Sequence, residues 1–285
     1  MADNSKNNIL VIGGPNVGKT HFGGQLYGRL NSKKFTYKLN TDNRPDDLTI
    51  FEDVLDKLYR GKRAGHTETS ANRSVVLNVT DDENNNIIFS FPDYGGEQIR
   101  EIVNGRKVNK LWKRYIEDST IWMLFVRLDD LLVIEDIIAQ GIPDSKEIEK
   151  RKKTAPPINV SDAAFFVELL QMLLYIKKIP ISNKTNFPKL TIVLSCWDIL
   201  ELEAGILPSD ILNIKVPMLF RFIKNNWLEN NFNIIGLSST GKSLTDEADE
   251  EYIDETPINF GYMIDENGNR ESDLTLVIKS LIGTE

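Results

Sequence analysis

The stretch that most constrains this chain is "NILVIGGPNVGKT", residues 8–20. The apolar residues Ile9 to Ile12 run straight into two glycines, which reads as a buried parallel strand ending in a tight turn. Gly13-Gly14-Pro15-Asn16-Val17-Gly18-Lys19-Thr20 then matches the phosphate-loop pattern G-x-x-x-x-G-K-[ST]. "KTHFGGQLYGRL" (19–30) follows as a helix, in which Gly23, Gly24 and Gly28 are expected to serve close packing, since they are poor helix formers. Strand, glycine loop and helix in this order build a cradle for an anion. Glycines let successive backbone N–H groups turn inward, and the helix N-terminus adds partial positive charge. Lys19 is expected to reach the β- and γ-phosphates of a nucleotide, and the Thr20 hydroxyl to ligate Mg²⁺. His21, in the first helical turn, completes the candidate nucleotide-binding set and is expected to pack rather than catalyse.

Such a cradle needs a larger sheet behind it. The chain has 285 residues, 41% of them hydrophobic, enough for one large domain or two small ones. Strands alternating with helices predict an α/β fold with a mostly parallel sheet. "PDDLTIFEDVLDKLYRG" (45–61) reads as an amphipathic helix, with Leu48, Phe51, Leu55 and Leu58 on one face. "SVVLNVT" and "IIFSFPD" flank the turn "DDENNN" and predict a β-hairpin. Further strands are expected at "TIWMLFVRL" (120–128), "KLTIVLSCWD" (189–198) and "NFNIIGLSS". Helices are expected at "DAAFFVELLQMLLYIKK", capped by Ser161, and at "VPMLFRFIKNNWLEN" (216–230). An acidic loop (246–255), a hairpin in "GYMIDENGNRE" and a short closing helix complete the chain. The reading is one domain over 1–285, with insertions at about 31–73, 129–160 and 241–272.

The net charge of -8 argues against nucleic acid or an anionic membrane as a general partner, because both demand clustered Lys and Arg. The single cysteine, Cys196, excludes an internal disulfide framework. A start without a targeting signal, and the lack of any long apolar run, lead to the expectation of a cytoplasmic protein with no membrane insertion.

A second stretch, Gly236-Leu-Ser-Ser-Thr-Gly241-Lys242-Ser243, also matches the phosphate-loop pattern. Its sequel, "SLTDEADEEYIDETP", stacks acids where phosphates would have to sit and offers no amphipathic helix. It is expected to be a decoy for phosphate.

"FSFPDYGGEQIR" places Asp93-Tyr94-Gly95-Gly96 at the end of the second hairpin strand. An Asp there can hold Mg²⁺ through water, and Gly96 can give its N–H to a γ-phosphate, so that the segment is released when that phosphate leaves. "GGPNVGKT", "PDYGGEQIR" and "KLWKRYIEDSTIWMLFVRLDD" together are similar to the translation-factor-related (TRAFAC) class of P-loop GTPases, with a switch region like those of Arf and Gα proteins. The segment from "GLSS" through "GYMIDENGNRESDLTLVIKSLI" also resembles the double-GTPase families of bacterial conflict systems.

The resemblance implies a three-layer G-domain, with a six-stranded, mostly parallel sheet, one antiparallel hairpin strand and helices on both faces. It implies GTP/GDP and Mg²⁺ as ligands. It places a guanine-reading N/T-K-x-D motif at Ser195-Cys196-Trp197-Asp198, where only Asp198 matches fully and Trp197 or Cys196 stands in for the lysine that usually covers the base. Ser238 and Ser239 become the counterparts of the loop that contacts guanine O6. Thr69, or else Thr67, would be the Mg²⁺-ligating switch threonine, beside Thr20 and Asp93. Arg63 and Arg73 flank that loop; either would serve as a transition-state arginine, with surface solvation the expected role. The position after Gly96, where a glutamine orients the attacking water, holds Glu97, followed by Gln98.

Lys19, Gly96 and Glu97 therefore make the candidate catalytic set. Glu97 facing a γ-phosphate predicts slow intrinsic hydrolysis and a need for a partner or activating protein within a larger assembly. The competing readings are a P-loop ATPase or kinase, and a nucleotide-bound scaffold that does not hydrolyse.

Overall fold

The computed structural model describes residues 7–32, 34–40, 47–65, 74–81, 85–92, 97–132 and 161–282. Thr67, Thr69, Arg73, Asp93 and Gly96 lie outside these residues, and Glu97 is described only as the first residue of a helix.

The sheet runs β2 (Lys38–Leu39), β3 (Val75–Thr80), β4 (Asn86–Phe91), β1 (Asn7–Ile12), β5 (Ile121–Arg127), β6 (Lys189–Ser195), β7 (Phe232–Ser238), β8 (Tyr262–Ile264), β9 (Arg270–Glu271) in spatial order. The five central strands, β4 through β7 by way of β1, are parallel. Antiparallel pairs close both edges. The expected six strands are the middle of this sheet; β2 and the β8–β9 hairpin extend it to nine among the described residues. β2 was not legible because a two-residue strand carries no periodicity.

Alternation along the central strands sorts side chains into two cores. On β1, Ile9 and Val11 face one side with Met123 and Phe125 of β5; Leu10 and Ile12 face the other with Trp122 and Leu124. The first side is covered by α1 (Lys19–Leu30), α2 (Thr49–Tyr59) and the closing helix α9 (Leu276–Ile282). The second is covered by α3 (Glu97–Gly105), α4 (Lys110–Asp118), α5 (Asp162–Ile176), α6 (Pro208–Lys215) and α7 (Pro217–Asn226). A sheet buried on both faces explains the near-continuous apolar strands. The hairpin strands, covered on one face, alternate instead: Val75, Leu77 and Val79 are buried and their neighbours only partly so.

The helices begin where side chains can accept their unsatisfied N–H groups. Ser161 accepts from the Ala164 N–H, as expected from the sequence, and Asn109 accepts from that of Trp112 at 2.8 Å. The glycines of α1 do serve close packing: a Cβ on Gly23 would lie 2.0 Å from the Phe51 ring, and one on Gly24 2.5 Å from Val54. The expected acidic loop at 246–255 contains a short helix, α8 (Glu250–Glu255), capped by Asp249.

A buried polar network ties this C-terminal region to α1. Arg29, fully buried, donates to Gln25 Oε1 and to the Phe260 carbonyl, and Gln25 donates to the Tyr252 hydroxyl at 2.9 Å and the Pro257 carbonyl at 3.1 Å. Burial pushes the Arg29 guanidinium down to about 10, opposed by Asp273 and Tyr252; it remains a cation at neutral pH. Among the described residues, no helix is long and apolar enough to cross a membrane.

Candidate nucleotide site

The loop after β1 has the geometry its sequence promised. Gly18 holds φ 84° as it opens α1, and Asn16 holds φ 61°, a left-handed conformation that asparagine tolerates better than most residues. A Cβ on Gly13 would come within 2.8 Å of Val17 and 2.9 Å of Phe125, so only glycine lets the loop fold back onto β5. At Gly14 the same atom would meet open space. Lys19, nearly buried, curls over the loop and donates from Nζ to the carbonyls of Gly13 (2.7 Å) and Gly14 (2.6 Å). Carbonyl dipoles thus hold the ammonium over the space that the turn encloses.

That space opens into a pocket of about 550 Å³, within the range of roughly 300–1,000 Å³ usual for small-molecule sites. Its position follows from topology. α1, which follows β1, lies on one face, while α3 after β4 and α5, the next described helix after β5, lie on the other, so a crevice opens at the carboxyl ends of β1 and β5. Walls come from the loop and first turn of α1 (Pro15 to His21) and from Arg127 ending β5. Ser195, Cys196, Asp198 and Ile199 after β6, Ser239, Thr240, Ser243, Leu244 and Asp246 after β7, and Arg63 to Gly65 complete them.

Beyond β6 the chain turns sharply. Cys196 holds φ 54° and opens a 3₁₀ turn, Trp197–Leu200, that presents Asp198 to the pocket. Burial pushes the Cys196 thiol up to about 11, so it is a neutral wall atom. Trp197 does not line the pocket: it is buried, its ring against Gly236, where a Cβ would lie 2.6 Å away. Ser239 lines the pocket. Ser238 is fully buried, and its Oγ accepts from the Gly241 N–H at 2.9 Å.

These contacts account for the second glycine-lysine motif. Gly236 makes room for Trp197; Gly241, at φ 75°, passes close to the Gly261 backbone; and Lys242 Nζ pairs with Asp249 (2.9 Å) and Glu251 (2.7 Å). The lysine answers the acids that follow it rather than a phosphate.

Three more side chains shape the pocket. His21 Nε2 accepts the Ala64 N–H at 3.2 Å, and burial, with Lys57 adding to it, pushes the imidazole down to about 4; it is neutral at pH 7. Arg63 pairs with Asp246 through Nε (2.8 Å) and Nη2 (2.9 Å), both side chains well exposed. Arg127 pairs with Asp129 and donates to the Asn16 carbonyl at 3.2 Å. Its place in the pocket was missed in the sequence. The signal was there: an arginine ending an otherwise buried apolar strand.

A parallel sheet with a glycine-lysine-threonine loop between its first strand and first helix, and an anion cradle at its carboxyl edge, defines the P-loop nucleotide-binding class. Within that class, the family model "Double-GTPase 1" matches residues 10–281. The chain belongs to the Double-GTPase 1 family.

The solved structures it is similar to include the Ski7 GTPase-like domain of S. cerevisiae bound to GTP: 13% identity, 86% of this chain and 46% of that one covered, TM-score 0.41. The same domain bound to GDP and inorganic phosphate has 14% identity, 82% and 43% coverage and TM-score 0.37. The signal recognition particle receptor SRb-GTP/SRX complex of Chaetomium thermophilum has 13% identity, 87% and 96% coverage and TM-score 0.38. The chain spans less than half the length of the Ski7 chains. No curated protein matches its sequence.

Proposed function

We propose that this protein is a GTP-binding switch that hydrolyses GTP slowly by itself and faster with a protein partner, inside a larger assembly of the conflict-system kind. The observation that carries this reading is that the Lys19 cradle and Asp198 line one pocket. A carboxylate there accepts from guanine N1–H and the exocyclic amine, a pair of donors that adenine lacks. The family match supports the same assignment.

The residues present fit the ligands. Lys19 is poised to exchange loop carbonyls for phosphate oxygens. Thr20 borders the same space, and with Asp93 and Thr69 it would hold Mg²⁺, whose charge would neutralise that of the phosphates. Gly96 would donate its N–H to the γ-phosphate, and Glu97, at the head of α3, would position the attacking water. A glutamate repels the γ-phosphate more than a glutamine would, which keeps unassisted turnover slow; activating partners raise such rates by about 10³–10⁵.

Two measurements test this. Asp198→Asn should turn the preference from GTP toward XTP, because the amide offers a donor where xanthine has an oxygen; an unchanged preference contradicts base reading by Asp198. Single-turnover hydrolysis of GTP by the protein alone should be slow. A rate equal to that of a fully activated GTPase refutes the partner requirement.

A further inference from the structure

If the pocket reads guanine, one wall is still to be assigned. The motif that would supply Asn-Lys ahead of Asp198 has Ser195-Cys196, and Trp197 is packed away from the pocket on Gly236. Cys196 lines the pocket, but its one-carbon side chain is too short to cover the flat side of the base, which is most of its surface.

Arg127 is placed for this by the sheet itself. In the β5–β6 register it lies opposite Ser195, so its side chain leaves the carboxyl edge beside Cys196, and it lines the pocket. Its N–H groups are largely committed within the plane of the guanidinium. Nε donates to Asp129 Oδ1 at 2.9 Å, Nη2 to Oδ2 at 2.8 Å, and Nη1 to the Asn16 carbonyl at 3.2 Å. The fork-to-fork pair fixes the plane, and the third bond ties it to the phosphate loop. With its charge answered by Asp129, this arginine is poorly suited to attract phosphate. With three of its five N–H groups engaged, the largest surface it retains for a ligand is its face. A planar, delocalised cation stacks on an aromatic ring, whereas an ammonium does not.

We propose that Arg127 stacks on the guanine base and takes over the covering role of the absent motif lysine, with Asp129 as the residue that positions it and Asn16 as its link to the phosphate loop. This rests on the guanine-nucleotide reading of the pocket. The base-stacking plane comes from the end of β5, one strand away from the motif that carries Asp198.

The experiment compares wild type, Arg127→Ala and Arg127→Lys by equilibrium titration with GTP and with GDP in Mg²⁺. It adds the thermal midpoint of each nucleotide-free protein. Loss of one base stack should weaken Arg127→Ala by about ten- to a hundredfold. GTP and GDP should lose alike, because the contact is to the base. Arg127→Lys keeps the charge and a bond to Asn16 but not the plane, and should recover only part of the loss.

Unchanged affinity in Arg127→Ala overturns the proposal. So does full recovery in Arg127→Lys, which reduces Arg127 to a charged brace, or a drop in the nucleotide-free midpoint that accounts for the loss. If the alanine variant does not fold, the lysine variant alone decides. Wild type that fails to bind GTP sinks the underlying functional reading instead, and is told apart by that control.

Discussion

At the scale of single residues, His21 shows how an environment assigns a role. Its ring borders the nucleotide pocket, yet it accepts a hydrogen bond from Ala64 and is held neutral by burial and by Lys57. The folded protein binds this proton only near pH 4, whereas the unfolded chain binds it near 6.5. Between those values the unfolded state carries more protons, so stability rises with pH. The contribution of His21 is fully present above about 6.5 and is lost as pH falls toward 4, at most about 3 kcal/mol. His21→Gln, whose amide oxygen can still accept from Ala64, should therefore lose less stability than wild type between pH 6.5 and 4.5 in urea titrations. Parallel losses in the two proteins would remove His21 from the account.

Trp197 and Ser238 teach the complementary lesson. Sequence order set both beside the base, but the three-dimensional register turns their side chains inward, one onto Gly236 and the other onto the Gly241 N–H. Position along a strand end is legible in a sequence; which way a residue there points is decided by φ values such as the 54° of Cys196, which no pattern announces.

At the scale of elements, the long apolar strands and the capped helices were readable because each carries its own physics. β1, β5, β6 and β7 are buried on both faces and show as apolar runs, and Ser161 marks the start of α5. α6 escaped, although Pro208 stands in its first turn as a start signal. Its eight residues bury little beyond Ile211 and Leu212, so the apolar spacing is faint.

The α1–α2 contact is the element pair most exposed to mutation. Gly23→Ala puts a methyl into the Phe51 ring, and overpacking of this kind costs about 1–3 kcal/mol. A lowered urea midpoint with an unchanged m-value is the expected result. A midpoint at or above that of wild type would mean that α2 can withdraw without cost.

At the scale of the whole molecule, the strand order places the carboxyl ends of β1, β5, β6 and β7 side by side, so a loop near residue 16, an arginine at 127, an aspartate at 198 and a serine at 239 share one crevice. The loop wall of this pocket, residues 15–21, was legible because it is contiguous in sequence. The rest was only partly so, since it is gathered from three separate strand ends, one of which supplies Arg127. The C-terminal region, tied to α1 through Arg29 and Gln25, supplies part of the pocket wall at Ser243 and Leu244.

The central claim is that one anion cradle and one carboxylate select a guanine triphosphate. Calorimetric titration of the wild-type chain and of Lys19→Ala with GTP and ATP, each with Mg²⁺, tests it most directly. The account predicts saturable binding of GTP, ATP weaker by about a hundredfold or more, and no binding of either by Lys19→Ala. Equal affinity for the two nucleotides, or GTP binding that survives the loss of Lys19, would contradict it.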